Sequence, residues 1–87
     1  MKNLRKEVQE FAQAMELTLR KHDPKKGKDS WKKDSYGSLF MHLSEEVQET
    51  MEATHPHEIE KEAIDVANMA MMIWDNARTD KNNKDMA

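Results

Sequence analysis

The stretch 58–78 constrains this chain most. Ile59, Ala63, Val66, Ala70, Ile73 and Ala77 recur at spacings of four, three, four, three and four, which places all six on one helical face. A second row, Ile64, Ala67, Met71 and Trp74, makes the same helix apolar on another side, so it must be central, either in a bundle or at a subunit interface. The alanines let another helix approach closely. Glu62, Asp65, Asn68 and Asp75 then stand out as polar residues on an apolar helix, where a buried carboxylate without a partner is costly.

Two further helices are expected around it. Leu4, Val8, Phe11, Met15 and Leu19 form an amphipathic stripe, predicting a first helix over residues 3–22 with Asn3 as its N-cap. Asp23-Pro24 should end it, because the residue before proline avoids the α region. A second helix is expected over 38–54, with Ser35 or Ser38 near its cap and Leu39, Phe40, Leu43, Val47 and Met51 on its apolar face. Residues 23–35 read as one irregular, lysine-rich segment, 55–57 as a short connection, and 79–87 as a polar tail.

Only two glycines and two prolines occur, and helix-forming residues dominate, which points to an all-α chain. Charged residues reach 36% and could signal disorder, but three segments carry clean apolar periodicity. The expected architecture is one domain over 1–78, a compact bundle of about three main helices. At 87 residues its own core is modest, so completion by oligomerisation is expected.

The absence of cysteine excludes disulfides and thiolate metal sites and fits a reducing cytosol. No apolar run approaches membrane-spanning length and the N-terminus has no signal-peptide core, so a soluble, cytoplasmic chain with no membrane partner is expected. The net charge of −3 is uneven. Arg20, Lys21, Lys25, Lys26, Lys28, Lys32 and Lys33 face only Asp23 and Asp29, a local +5 that leaves −8 on the remainder. A basic segment on an acidic body suits an anionic ligand bridged to carboxylates by metal; a merely solvated lysine loop has the same charge pattern.

The acids carry the chemistry. Glu46 with Glu49, and Glu62 with Asp65, are i, i+3 pairs on the second and third helices. If those helices pack side by side, four carboxylates converge, and a stable fold then needs protons or a cation among them. Hard oxygen ligands suit Mg²⁺ or Mn²⁺. Glu46 and Glu49 border the apolar face of their helix rather than opposing it, unlike an ordinary solvated pair. Trp31 among lysines either anchors the segment on the core or stacks on a nucleobase while lysines hold phosphate. Glu52 and His55 have the Glu-x-x-His spacing of di-iron bundles, although His55 reads more simply as a helix-end residue complementing the dipole. Met69, Met71 and Met72 read as core filler.

Together, Glu45-Glu46-x-x-Glu49 and Glu62-x-x-Asp65 resemble the EExxE…ExxD signature of the MazG-like nucleotide pyrophosphohydrolases, within the all-α NTP pyrophosphatase group. The likeness extends to Phe11-Ala-x-x-Met15-Glu16, the Lys-Gly-Lys…Trp31 segment and Asp65-Val-Ala-Asn68-Met-Ala-Met-Met, covers roughly residues 8–76, and is to the short, phage-type members. Where some relatives have Gly-Gly directly before the tryptophan, this chain has Gly-Lys-Asp-Ser. The resemblance implies a helical bundle assembling as a homodimer or homotetramer, and Mg²⁺-dependent hydrolysis of a nucleoside triphosphate to monophosphate and pyrophosphate. It implies Glu46, Glu49, Glu62 and Asp65 as metal ligands and Asn68 near the sugar or base. It also implies Trp31 for the base and Lys25, Lys26 or Lys28 for phosphate.

The expected mechanism is attack of a metal-activated water on the α-phosphorus, with Glu45 or Glu49 accepting the proton. No nucleic-acid polymer is an expected partner. The rival readings are a non-catalytic helical interaction module using the alanine seam, and a di-iron carboxylate bundle. Base and sugar preference are not encoded in the spacing.

Overall fold

A computed structural model describes residues 2–80, which form three α-helices and one short 3₁₀ turn with no strand among them. Helix α1 spans Lys6–Lys26, the turn Ser30–Lys33, α2 Tyr36–Glu52 and α3 Pro56–Thr79. Helix α3 is the shared element: α2 packs along it extensively, α1 less so. The all-α class agrees with the sequence. Of the tail expected at 79–87, Thr79 is instead the last residue of α3 and Asp80 is its cap; residues 81–87 lie outside the described residues.

Helix α1 departs from expectation at both ends. It starts at Lys6 behind Arg5, and Asn3 instead adopts a left-handed φ of 61° outside the helix. It also runs through Pro24 to Lys26. Proline there removes only one late hydrogen bond, a loss confined to the last turn. Gly27 is the true stop: its φ of 84° is left-handed, and its N–H donates to the Asp23 carbonyl at 2.8 Å. The irregular segment thus shrinks to 27–35, with a 3₁₀ turn inside it.

The cap of α2 is legible in the sequence. Ser35 is the N-cap, and its hydroxyl accepts from the Ser38 N–H at 3.1 Å. At the other end, His55 belongs to the start of α3 rather than the end of α2, so it does not complement the α2 dipole as expected. Pro56, pre-set for a first helical turn, draws His55 into the N-cap position, and the His55 ring stacks on His57 at 5.7 Å.

The core is thin. Leu39 is the one buried hydrophobic residue among those described, at 1% exposure. The expected stripes are covered only in part: Met15, Leu19 and Leu43 are half-buried, whereas Leu4, Val8, Phe11, Phe40, Val47 and Met51 are exposed. The alanine seam of α3 turns partly outward, with Ile59, Ala70 and Ala77 exposed. Its buried positions are polar instead, Asn68 at 5% and Asp75 at 6%. Asp75 is paired: Arg78 reaches its Oδ1 at 2.8 Å through Nη2. Arg78 also lies over the Trp74 ring at 4.4 Å.

Candidate metal centre

The short 53–55 connection brings α2 and α3 together as antiparallel neighbours, so their acidic pairs meet. Carboxylate oxygens of Glu46, Glu49 and Glu62 lie within 4.8 Å of one another. Glu46 and Glu62 are half-buried and Glu49 is exposed. Oε2 of Glu46 and Oε2 of Glu62 are both buried without a hydrogen-bond partner. Lys61, itself exposed, reaches the other oxygen of Glu62 at 3.5 Å.

Crowding shows in the proton affinities. Burial, then the charges of Glu49 and Asp65, the hydrogen bond with Glu49 and the charge of Glu62 push Glu46 up to about 7. Burial and then Glu62 also raise Asp65, while Lys61, His22 and Lys26 pull it down. Asp65 is half-buried and stands outside the three-carboxylate group, on the wall of the adjoining cleft.

That cleft has two lobes. One, of about 200 Å³, is lined by Thr18, Leu19, His22, Lys26, Glu46, Asp65, Asn68, Met69 and Met72. The other, of about 160 Å³, adds Trp31, Leu39 and His42. Lys26, Glu46, Met69 and Met72 border both, so the lobes form one cleft between α1, α2 and α3 with Glu46 at its waist. A larger depression of about 420 Å³, lined by Lys32, Tyr36, Asn76 and Asp80 among others, shares no residue with the carboxylate group and lacks its chemistry.

The sequence-derived candidates divide on this map. Glu46, Asp65, Asn68, Trp31 and Lys26 line the cleft, and Glu49 and Glu62 complete the acidic group beside it. Glu45 points elsewhere: its side chain is exposed and lies 3.2 Å from His42 Nδ1. Lys25 and Lys28 are exposed and line neither lobe. Glu52 accepts from Gln48 at 2.8 Å, and neither it nor His55 belongs to the carboxylate group. Met69 and Met72 are half-buried, as filler would be, but they face the cleft.

One cleft residue, His22, was missed from sequence, and Lys26 was named for phosphate without its place on α1. His22 and Lys26 line the α1 side of the cleft that Asp65 borders from α3. Their signal was present: the stripe Met15, Leu19 continues at +3 and +4 onto His22 and Lys26. Ending the helix at Asp23-Pro24 left Lys26 off that face.

The donor set fits a hard divalent cation. Every ligand atom is a carboxylate oxygen, Oε2 of Glu46 and of Glu62 are buried without a partner, and burial with the neighbouring charges disfavours ionisation of Glu46 unless a counter-charge is present. The chain matches no known protein family, no curated protein and no solved structure.

Proposed function

We propose that this chain is a nucleoside triphosphate pyrophosphohydrolase that uses Mg²⁺, with Mn²⁺ as substitute, to release pyrophosphate and leave the nucleoside monophosphate. The observation that carries it is the convergence of Glu46, Glu49 and Glu62 beside a cleft whose facing wall holds His22 and Lys26. Carboxylates for a cation, with a lysine and an imidazole for an anion, side by side, suit a metal–phosphate ligand. The MazG-like motif resemblance supplies the reaction.

Glu46, Glu49 and Glu62, with Asp65 from the cleft wall, would hold the cation. When bound, it would lower the pKa of a water and offset charge on the phosphate oxygens. Lys26 and His22 would orient the phosphate chain from the α1 side. Glu49, the exposed member of the group, is the proton acceptor in this scheme; Glu45, turned toward His42, is poorly placed for that role. Met69, Met72 and Leu19 give the cleft apolar walls, and Trp31 would offer an aromatic face to the base. Asn68 commits its Nδ2 to the Met15 carbonyl, so its free Oδ1 would accept from a base or sugar donor.

The working unit is a homodimer or homotetramer. Among the described residues ten large apolar side chains stay exposed, an uncovered surface that assembly would bury. An interaction module without chemistry accounts for that surface but leaves the unpaired oxygens of Glu46 and Glu62 without a purpose. A pyrophosphate-release screen over standard and modified NTPs and dNTPs, with Mg²⁺ and Mn²⁺, tests the reading. Release from at least one nucleotide is expected; silence across the panel, with the chain folded, contradicts it.

A further inference from the structure

The lysine-rich connection is fastened to α3 at two adjacent residues. Asn76 donates its side-chain amide to the Trp31 carbonyl at 3.1 Å. Asp75 lies behind it, with Arg78 on Oδ1 and Lys32 Nζ 3.8 Å from Oδ2. Both contacts land in the turn Ser30–Lys33. That turn has little support of its own: the Lys32 N–H donates to Asp29 at 3.1 Å and the Asp34 N–H to Trp31 at 2.9 Å. A single 3₁₀ turn of this kind is marginal in isolation. Between residues 27 and 35 only Asp29 and Trp31 are less than exposed. Trp31 nevertheless lines the cleft with Glu46 and Lys26, and its indole N–H is buried without a partner.

We propose that Asn76 and Asp75 are positioning residues that hold the Trp31 indole in the wall of the cleft beside Glu46. In this arrangement the last turns of α3, rather than the connection alone, fix where a ligand's ring is received. Helix α3 then carries both Glu62 and Asp65 for the cation and the tether for the aromatic wall, so the two ends of one ligand are set by one rigid element. The ligand half of this inference rests on the proposed function; the fastening does not.

The test reads Trp31 directly in the full chain without ligand. The chain has two tryptophans, so a Trp74→Phe background leaves Trp31 as the sole emitter. Asn76→Ala in that background is expected to shift the emission to the red and to raise the acrylamide quenching constant about twofold, with helical circular dichroism unchanged. Lys32→Ala removes the other tether from an exposed side chain and leaves α3 intact; quenching should rise by a smaller factor. Unchanged emission and quenching in both variants would overturn the proposal. If Asn76→Ala loses helical signal, Lys32→Ala decides alone, in the same two directions. On a nucleotide that the native chain turns over, Asn76→Ala should raise KM about tenfold with kcat kept within about threefold. A fall in kcat at constant KM would contradict a positioning role. If the native chain turns over nothing, the proposed function fails and the fluorescence result still decides the fastening.

Discussion

Asn68 and Met15 tie α3 to α1 through one hydrogen bond, from the Asn68 side-chain amide to the Met15 carbonyl at 3.3 Å. The bond occupies the donor of a buried amide and leaves its acceptor in the cleft without a partner. Asn68→Ala should therefore lower stability by about 1–2 kcal/mol in denaturant titration, from the lost bond and the small void. Asn68→Asp keeps the shape but adds negative charge beside Glu46 and Asp65. It should destabilise more than alanine at pH 8, and Mg²⁺ or Mn²⁺ should recover part of the loss. Equal stability of the two variants at pH 8 would contradict the crowding.

The raised Glu46 carboxyl gives stability a pH dependence of definite sign. Its folded value is about 7 against an ordinary 4.5, so between those values the native chain holds a proton that the unfolded chain has released. That contribution is favourable to the unfolded chain's ionisation as pH rises, and stability should fall from pH 4.5 toward 7. Asp65, raised for similar reasons, adds to the same slope. Thermal unfolding without divalent cation should show Tm declining across this window. Glu46→Gln should flatten the decline, and saturating Mg²⁺ should do likewise at the upper end by replacing the proton.

Exposed apolar surface predicts assembly. Among the described residues ten large apolar side chains stay uncovered, and a standard interface buries about 800 Å² per partner. Sedimentation equilibrium should return at least twice the 10.2 kDa chain mass. Phe11→Glu on α1 and Phe40→Glu on α2, measured separately, should identify the buried face by which one dissociates the assembly. A monomer at micromolar concentration would exclude assembly through these faces.

Gly27 is a clean backbone test. An added Cβ would meet nothing within 4 Å, so Gly27→Ala is opposed only by its φ of 84°. The expected loss is about 1–2 kcal/mol, read as a lower Tm at unchanged helix content. No loss would mean that α1 stops for another reason.

Much of this was legible in the chain, and each failure has its own physical cause. Ser35 announced the α2 cap, and the i, i+3 acids announced the carboxylate group, because both depend on local spacing. Pro24 misled because the rule against helical pre-proline residues is a preference, and near a C-terminus breaking it costs little. With that misplaced end Lys26 was read as part of an irregular segment rather than as a helix position one turn beyond His22. The outward turn of the α3 seam could not be read either. Apolar periodicity says which residues share a face, but not whether this chain or another covers it. Asn76 gave no signal at all, since its partner is a backbone carbonyl 45 residues away.

The most direct measurement is cation-dependent pyrophosphate release by the native chain and by Glu49→Gln and Asp65→Asn. Both variants keep side-chain shape while removing a charge from the group that would hold the cation. The expected result is a loss of about 100-fold or more in kcat/KM for each, with folding retained. Near-native release from either variant would contradict the assignment of this carboxylate site.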